Sequence, residues 1–209
     1  RIVVNLSASP WCRGKEHFRH CMVAAAARRH GVPMLYVNMV GGDVELQFDG
    51  GSLAVKPTGV AAQPIPFREA LILADTDAPW TQQPAPIADE AMQHAAIVQG
   101  IRDYVRKFGF QRAVIGLSGG IDSALVAAIA TDALGPEHVI GVLMPSRWSS
   151  GHSVTDAEAL AANLGIRTHT VPIEPAHAAF ETMLAPVYDG AAPNVAEENV
   201  QARIRGNVV

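Results

Sequence analysis

Between Ala113 and Leu134 the chain passes from five apolar residues, Ala113-Val114-Ile115-Gly116-Leu117, through Ser118-Gly119-Gly120-Ile121-Asp122-Ser123 into an Ala-rich stretch that ends at Gly135-Pro136. A short apolar run bounded by turn residues predicts a strand buried on both faces, and the stretch from about Ala124 to Leu134 predicts a helix packed against it. Two more pairs follow: strand Val139 to Met144 with helix Thr155 to Leu164, then strand Thr168 to Ile173 with helix Pro175 to Leu184. Thr155 and Glu158 have the spacing of a capping box, and Gly165 supplies the stop. Strands alternating with helices of this length form a doubly wound parallel sheet of the α/β class.

The first part of the chain reads differently. Residues 2–7 predict a buried strand, Glu16 to Arg29 a helix stopped by Gly31, and Pro33 to Val40 a second strand. Gly41-Gly42-Asp43 then reads as a turn, and Val44 to Phe48 as a third strand whose partner is Ser52 to Val55, after Asp49-Gly50-Gly51. From Asp75 to Pro86 the composition shifts to Asp, Pro, Gln and Thr, which marks a surface connector, and Ile87 to Phe108 is again helical. A boundary near residue 80 follows, giving domains 1–80 and 81–209. The chain opens without Met on an apolar run and closes on Gly206-Asn207-Val208-Val209 inside a helical pattern, so it reads as an internal piece of a longer protein.

Composition excludes several classes of partner. A formal charge of -4 and scattered arginines leave no basic stripe for nucleic acid. No apolar run approaches the ~20 residues that span a bilayer, and no signal-peptide pattern precedes the first strand, so no membrane is expected and the cytoplasm is the default. Cys12 and Cys21 are too few for a disulfide framework, and no Cys-x-x-Cys pair suggests zinc. His17, His20 and Cys21 share helical spacing without a fourth ligand nearby and read as an ordinary helix surface.

The chemistry concentrates at 118–123. Ligands of open parallel sheets bind at the carboxyl ends of strands, where helix N-termini present free amides. Gly119 and Gly120 let the backbone approach an anion, and Ser118 and Ser123 add hydroxyls, which together describe a phosphate cradle. A carboxylate beside phosphates needs a bridging cation, so Asp122 is assigned to magnesium. A bare Gly-Gly would more simply be a tight turn with a helix-start acid. The full string, set between a buried strand and an amphipathic helix, favours the cradle. No Gly-Lys-Ser/Thr follows, so it is not a Walker loop.

The string resembles the signature of the N-type ATP pyrophosphatases, a superfamily that includes NAD, GMP and asparagine synthetases and tRNA-thiolating enzymes. The resemblance implies an adenine nucleotide alpha hydrolase-like fold and activation of a carbonyl oxygen as an adenylate, from which a nitrogen or sulfur nucleophile then displaces AMP. Gly116, Leu117, Ser118, Gly119, Gly120, Ile121, Asp122, Ser123 and Arg147 are assigned to ATP. Met144-Pro145-Ser146-Arg147-Trp148-Ser149-Ser150 and Glu197 to Asn207 are similar to the synthetase domain of NAD synthetases. That similarity implies a deamido-NAD contact at Asn199. Arg147 lies at a strand end, where a guanidinium can bind phosphate or stack on adenine. Arg203 and Arg205, at i and i+2, point to different faces of a helix, so at most one meets the nucleotide.

Residues 1–60 resemble the later part of a nitrilase-like α/β sandwich, a glutaminase domain, through Asn5 to Pro10, Gly14-Lys15, Tyr36-Val37-Asn38 and Phe48 to Ser52. The implied glutamine contacts are Ser9 and Lys15. The catalytic Glu, Lys and Cys of such a glutaminase are expected upstream of Arg1, and neither Cys12 nor Cys21 has the nucleophile's placement, so the piece itself should be inactive. Fused glutaminase and synthetase is the arrangement of glutamine-dependent NAD synthetases. The expected reaction is ATP-dependent amidation of deamido-NAD with ammonia from L-glutamine, releasing AMP, pyrophosphate and glutamate, by a homo-oligomer. The alternatives are another amidotransferase such as GMP synthetase, whose glutaminase has a different fold, or a homologue that binds nucleotide without chemistry.

Overall fold

A computed structural model describes residues 1–60, 65–75, 77, 87–188 and 195–209, in two compact units, Arg1–Phe108 and Gly109–Val209. In the first, strand β1 (Val3–Ser7) leads through helix α1 (Lys15–His30) to β2 (Met34–Asn38), which lies parallel to β1. A hairpin of β3 (Val40–Asp43) and β4 (Leu46–Asp49) follows, then β5 (Leu53–Lys56) and β6 (Gly59–Val60). The main sheet has the order β1-β2-β5-β6. Helix α1 presents Val23, Ala24 and Ala27 to Tyr36, Leu53 and Val55, and closes on the left-handed Gly31, as its sequence predicts. Helix α2 (Asp89–Lys107) belongs to this unit by packing: Met92 and Ala96 meet Phe67, which stacks edge-on against Trp11 at 5.8 Å.

Three expectations are corrected in this unit. Gly41-Gly42-Asp43 is not a turn but most of β3, and the chain reverses at Val44-Glu45, so that Val40 pairs with Asp49 and Asp43 with Leu46. The strand after this hairpin, β5, pairs with β2 and β6 rather than with 44–48. Close approach explains the glycines: the Gly42 amide donates to Asp103 Oδ2 of α2 at 2.7 Å, and a Cβ there would lie 3.3 Å from the Cα of Gly100. The third correction concerns β1, expected buried. Among the described strands it lies at the edge, α1 packs on β2 and β5, and Leu6 is 76% exposed. The composition shift behind the boundary near residue 80 falls mostly outside the described residues.

A buried ion pair ties α1 to the end of the hairpin. Arg19 Nη2 donates to both carboxylate oxygens of Asp49 at 2.8 Å, and Nη1 donates to the Gly50 carbonyl at 3.1 Å. Both side chains are almost fully excluded from solvent.

The second unit is the parallel α/β layer its sequence predicts: β7 (Ala113–Leu117), α3 (Ile121–Leu134), β8 (Val139–Leu143), α4 (Gly151–Leu164), β9 (Arg167–Thr170), α5 (Glu174–Tyr188) and α6 (Val195–Val208). The strands lie in the order β7-β8-β9, all parallel. Leu117, Val139 and Leu143 of the sheet pack on Ala127, Ala130, Ala157 and Ala161 of α3 and α4. Small residues on both helices let them lie close to the strands. Among the described strands β7 is at the edge, and it is open on one face rather than buried on both, with Val114 47% exposed. Helix α4 starts a turn earlier than predicted. Its cap is Ser150, whose hydroxyl accepts from the Ser153 amide at 3.2 Å, while Thr155 donates to the Gly151 carbonyl instead of forming a capping box with Glu158. Among the described residues no helix is long and apolar enough to cross a membrane.

Candidate active site

Strand β7 ends at Leu117, and the next three residues turn the chain into α3. Gly119 takes φ +77, in the left-handed region. A Cβ there would overlap the Ser153 carbonyl oxygen and lie 2.7 Å from the Ser153 Cα, so the loop rests directly on the first turn of α4. Its hydroxyls hold the loop itself. The Ser118 amide donates to Ser123 Oγ at 3.2 Å, the Gly120 amide to Ser118 Oγ at 3.3 Å, and Ser123 Oγ donates to the Gly120 carbonyl at 2.9 Å. The first turn of α3 has no side-chain cap, which leaves its amides and the helix dipole for a ligand.

Beside this loop lies a cavity of about 470 Å³. Gly116, Leu117 and Ser118 at the end of β7 and Leu143, Met144 and Pro145 at the end of β8 form one part of its wall. Trp148, Ser149 and Ser150 just before α4, Ser153 and Val154 in its first turn, and Arg205 of α6 form the rest. The strand ends and the helix start thus meet where a parallel sheet binds its ligands. Asp122 stands in the first turn of α3, exposed and without an ion pair among the described residues. The described residues hold no group of three metal-binding side chains. Such a donor set suits magnesium only where substrate phosphates complete the coordination, since magnesium commonly takes one or two protein carboxylates with phosphate oxygens.

A model of the NAD synthase family matches residues 93–209. The chain belongs to the NAD synthase family. Among its relatives, the glutamine-dependent NAD(+) synthetase of Synechocystis sp. is 48% identical over 100% of this chain and 38% of its own length. That of Thermotoga maritima is 42% identical over 99% of this chain and 42% of its own. The solved structure of the Acinetobacter baumannii glutamine-dependent NAD+ synthetase in complex with ADP superposes with a TM-score of 0.92 at 36% identity, over 99% of this chain and 40% of that one. The chain therefore spans about two fifths of the length of the relatives it matches.

Within this chain, the predicted site residues separate into groups. Gly116, Leu117 and Ser118 line the cavity, and Gly119 to Ser123 form the adjoining loop and helix start. Arg147 does not line the cavity. Its Nε donates to Glu174 Oε1 at 2.7 Å and its Nη2 to Glu181 Oε2 at 2.9 Å, both on α5. The hydrogen bond from Arg147 holds the Glu174 carboxyl below the usual glutamate range, against the opposing effect of desolvation. This contact is complete at neutral pH and is lost only as the pH falls through that lowered value. Arg147 thus pins the segment from Met144 to Ser150, most of which lines the cavity.

Helix α6 turns Gln201 and Ile204 inward and leaves Asn199 and Arg203 exposed. Asn199 does not line the cavity. In the first unit, Ser9 lies in the loop after β1 and Lys15 opens α1: the Ser9 amide donates to Asn38 Oδ1 at 2.8 Å, Asn38 returns a bond to the Ser9 carbonyl, and Lys15 Nζ donates to the Pro10 carbonyl at 2.8 Å. Cys12 and Cys21 are exposed free thiols. Sequence reasoning passed over Trp148 and Ser153 as wall residues. A tryptophan five residues past the end of β8, within the Met144 to Ser150 stretch, was the one signal that pointed to Trp148.

Proposed function

We propose that the protein containing this chain converts deamido-NAD to NAD, with ATP as the activating substrate and ammonia taken from L-glutamine. The observation that carries the proposal is the Ser118–Ser123 loop, folded on the first turn of α4 beside a nucleotide-sized cavity, in a segment that matches the NAD synthase family. One carboxylate oxygen of the nicotinate ring attacks the α-phosphorus of ATP, and pyrophosphate leaves. Ammonia then attacks the acyl carbon, AMP departs with that oxygen, and the nitrogen loses a proton to give the amide.

The protein's part is positioning and electrostatics. The loop from Gly116 to Ser123 receives the phosphates, with the uncapped amides of α3 directed at developing negative charge. Trp148 offers an aromatic face for a purine at the cavity wall. Arg147 contributes to the ATP site by holding the wall segment against α5. Magnesium would be held by Asp122 and phosphate oxygens, where it would neutralise charge on the departing pyrophosphate. Asn199 is the proposed contact to deamido-NAD, and Ser9 and Lys15 the proposed glutamine contacts, with the glutaminase nucleophile outside this chain. A boundary near residue 80 between glutaminase and synthetase domains, a homo-oligomeric assembly and a cytoplasmic setting complete the proposal.

Similarity over the whole chain to glutamine-dependent NAD synthetases favours this reading over GMP synthetase. Asp122→Asn in the full-length protein distinguishes an enzyme from a binding homologue. We expect magnesium-dependent pyrophosphate release to fall by about 100-fold or more, because a metal's charge at the phosphates is worth several kcal/mol, while the circular dichroism spectrum stays that of the wild type. Unchanged release in this variant would remove Asp122 from the metal site. Absence of deamido-NAD-dependent release in the wild type would remove the enzyme.

A further inference from the structure

We infer that Arg205 is a phosphoryl-binding residue of the cavity, the cation that a nucleotide meets from helix α6. The inference rests on the cavity being a nucleotide site. Arg205 lines that cavity and is half-buried. Its hydrogen-bond partners among the described residues are all neutral: Nε reaches the Met144 carbonyl at 3.4 Å, and Nη2 reaches Ser146 Oγ at 3.4 Å and Gln201 Oε1 at 3.5 Å. These distances lie at the weak end of hydrogen bonding.

The contrast with Arg147 decides which arginine is free for a ligand. Arg147 has two carboxylates on its guanidinium and lies outside the cavity wall, whereas Arg205 has none among the described residues and lies in it. A half-buried guanidinium with only long bonds to neutral acceptors keeps most of its capacity for an anion. Its orientation is nonetheless held, because the buried Gln201 and the half-buried Ser146 bond to each other at 3.2 Å and both touch Nη2. Ser118 and the start of α4 line the same cavity, so helix-end amides and the cation favour the same charge. Two phosphoryl groups fit this chemistry, the triphosphate of ATP and the pyrophosphate of the dinucleotide.

Calorimetric titration of the full-length protein with ADP, deamido-NAD and adenosine tests the assignment in the wild type, R205A and R205K. R205A should weaken ADP or deamido-NAD by about tenfold or more, the expected loss for a charged hydrogen-bonding partner, and leave adenosine unchanged. The ligand that weakens names the phosphate source. R205K keeps the charge without the planar fork, and should show a smaller loss on the same ligand. It also keeps the test readable if R205A does not fold. Unchanged affinity for both phosphorylated ligands in the two variants would overturn the inference, and so would an equal loss for ADP and adenosine. A wild type that binds none of the three would overturn the nucleotide site itself, and this inference with it.

Discussion

Gly119→Ala should abolish ATP-dependent turnover in the full-length protein, with a loss of about 100-fold or more, the scale expected when reacting groups are misplaced by an ångström. Two independent costs act at this position. The backbone lies at φ +77, where an L side chain is unfavourable by roughly 1–2 kcal/mol. A methyl group would also overlap the Ser153 carbonyl oxygen and approach its Cα to 2.7 Å, and these are backbone atoms of a capped helix that cannot swing aside. Either the loop lifts from α4 or the first turn of α4 moves, and both movements change the cavity wall. Gly120 is the control. It has extended backbone, and a Cβ there would meet only Ser118 Oγ at 3.3 Å, so Gly120→Ala should lose much less. Steady-state pyrophosphate release by the two variants makes the comparison. Equal losses would mean that the contact between the loop and α4 does not shape the site.

Asp49→Ala should be the most damaging single change in the first unit, costing about 3–5 kcal/mol, because it leaves the Arg19 guanidinium buried without its counter-charge. The Gly50 carbonyl alone cannot replace a bidentate carboxylate. A paired apolar replacement, Arg19→Met with Asp49→Leu, should recover much of the loss, since both desolvation penalties disappear together. The measurement is the first unfolding transition in a denaturant or thermal scan of the full-length protein. A small shift for Asp49→Ala, or a double variant no better than the single, would show that the pair is not the tie between α1 and the hairpin.

The reach of sequence reasoning followed the locality of each signal. β7, the Gly-Gly loop and α3 were legible because an apolar run, two glycines and an Ala-rich helix report on adjacent residues. The β3–β4 hairpin was not. Gly41 and Gly42 have the composition of a turn, but Gly42 is there to let α2 approach, through Asp103, 61 positions away in the chain. The start of α4 was misplaced for a related reason: Ser150 and Thr155 are both acceptable caps, and packing of the Ser118 loop on Ser153 favours the earlier one. At the site, Arg147 and Arg205 carry the same charge, and each lies in a stretch similar to the NAD synthetase domain. What separates them is the pair of glutamates on α5 and the rotational phase of α6, both of them tertiary facts.

Following one oxygen shows whether this cavity serves adenylation of a carboxylate followed by amidation. Deamido-NAD labelled with ¹⁸O in the nicotinate carboxylate is turned over by the full-length protein with ATP, magnesium and ammonium, and the nucleotide products are analysed by mass spectrometry. Attack of a carboxylate oxygen on the α-phosphorus predicts AMP carrying one ¹⁸O, in equal amount with NAD and pyrophosphate. Unlabelled AMP, or ADP with labelled inorganic phosphate in its place, would contradict it.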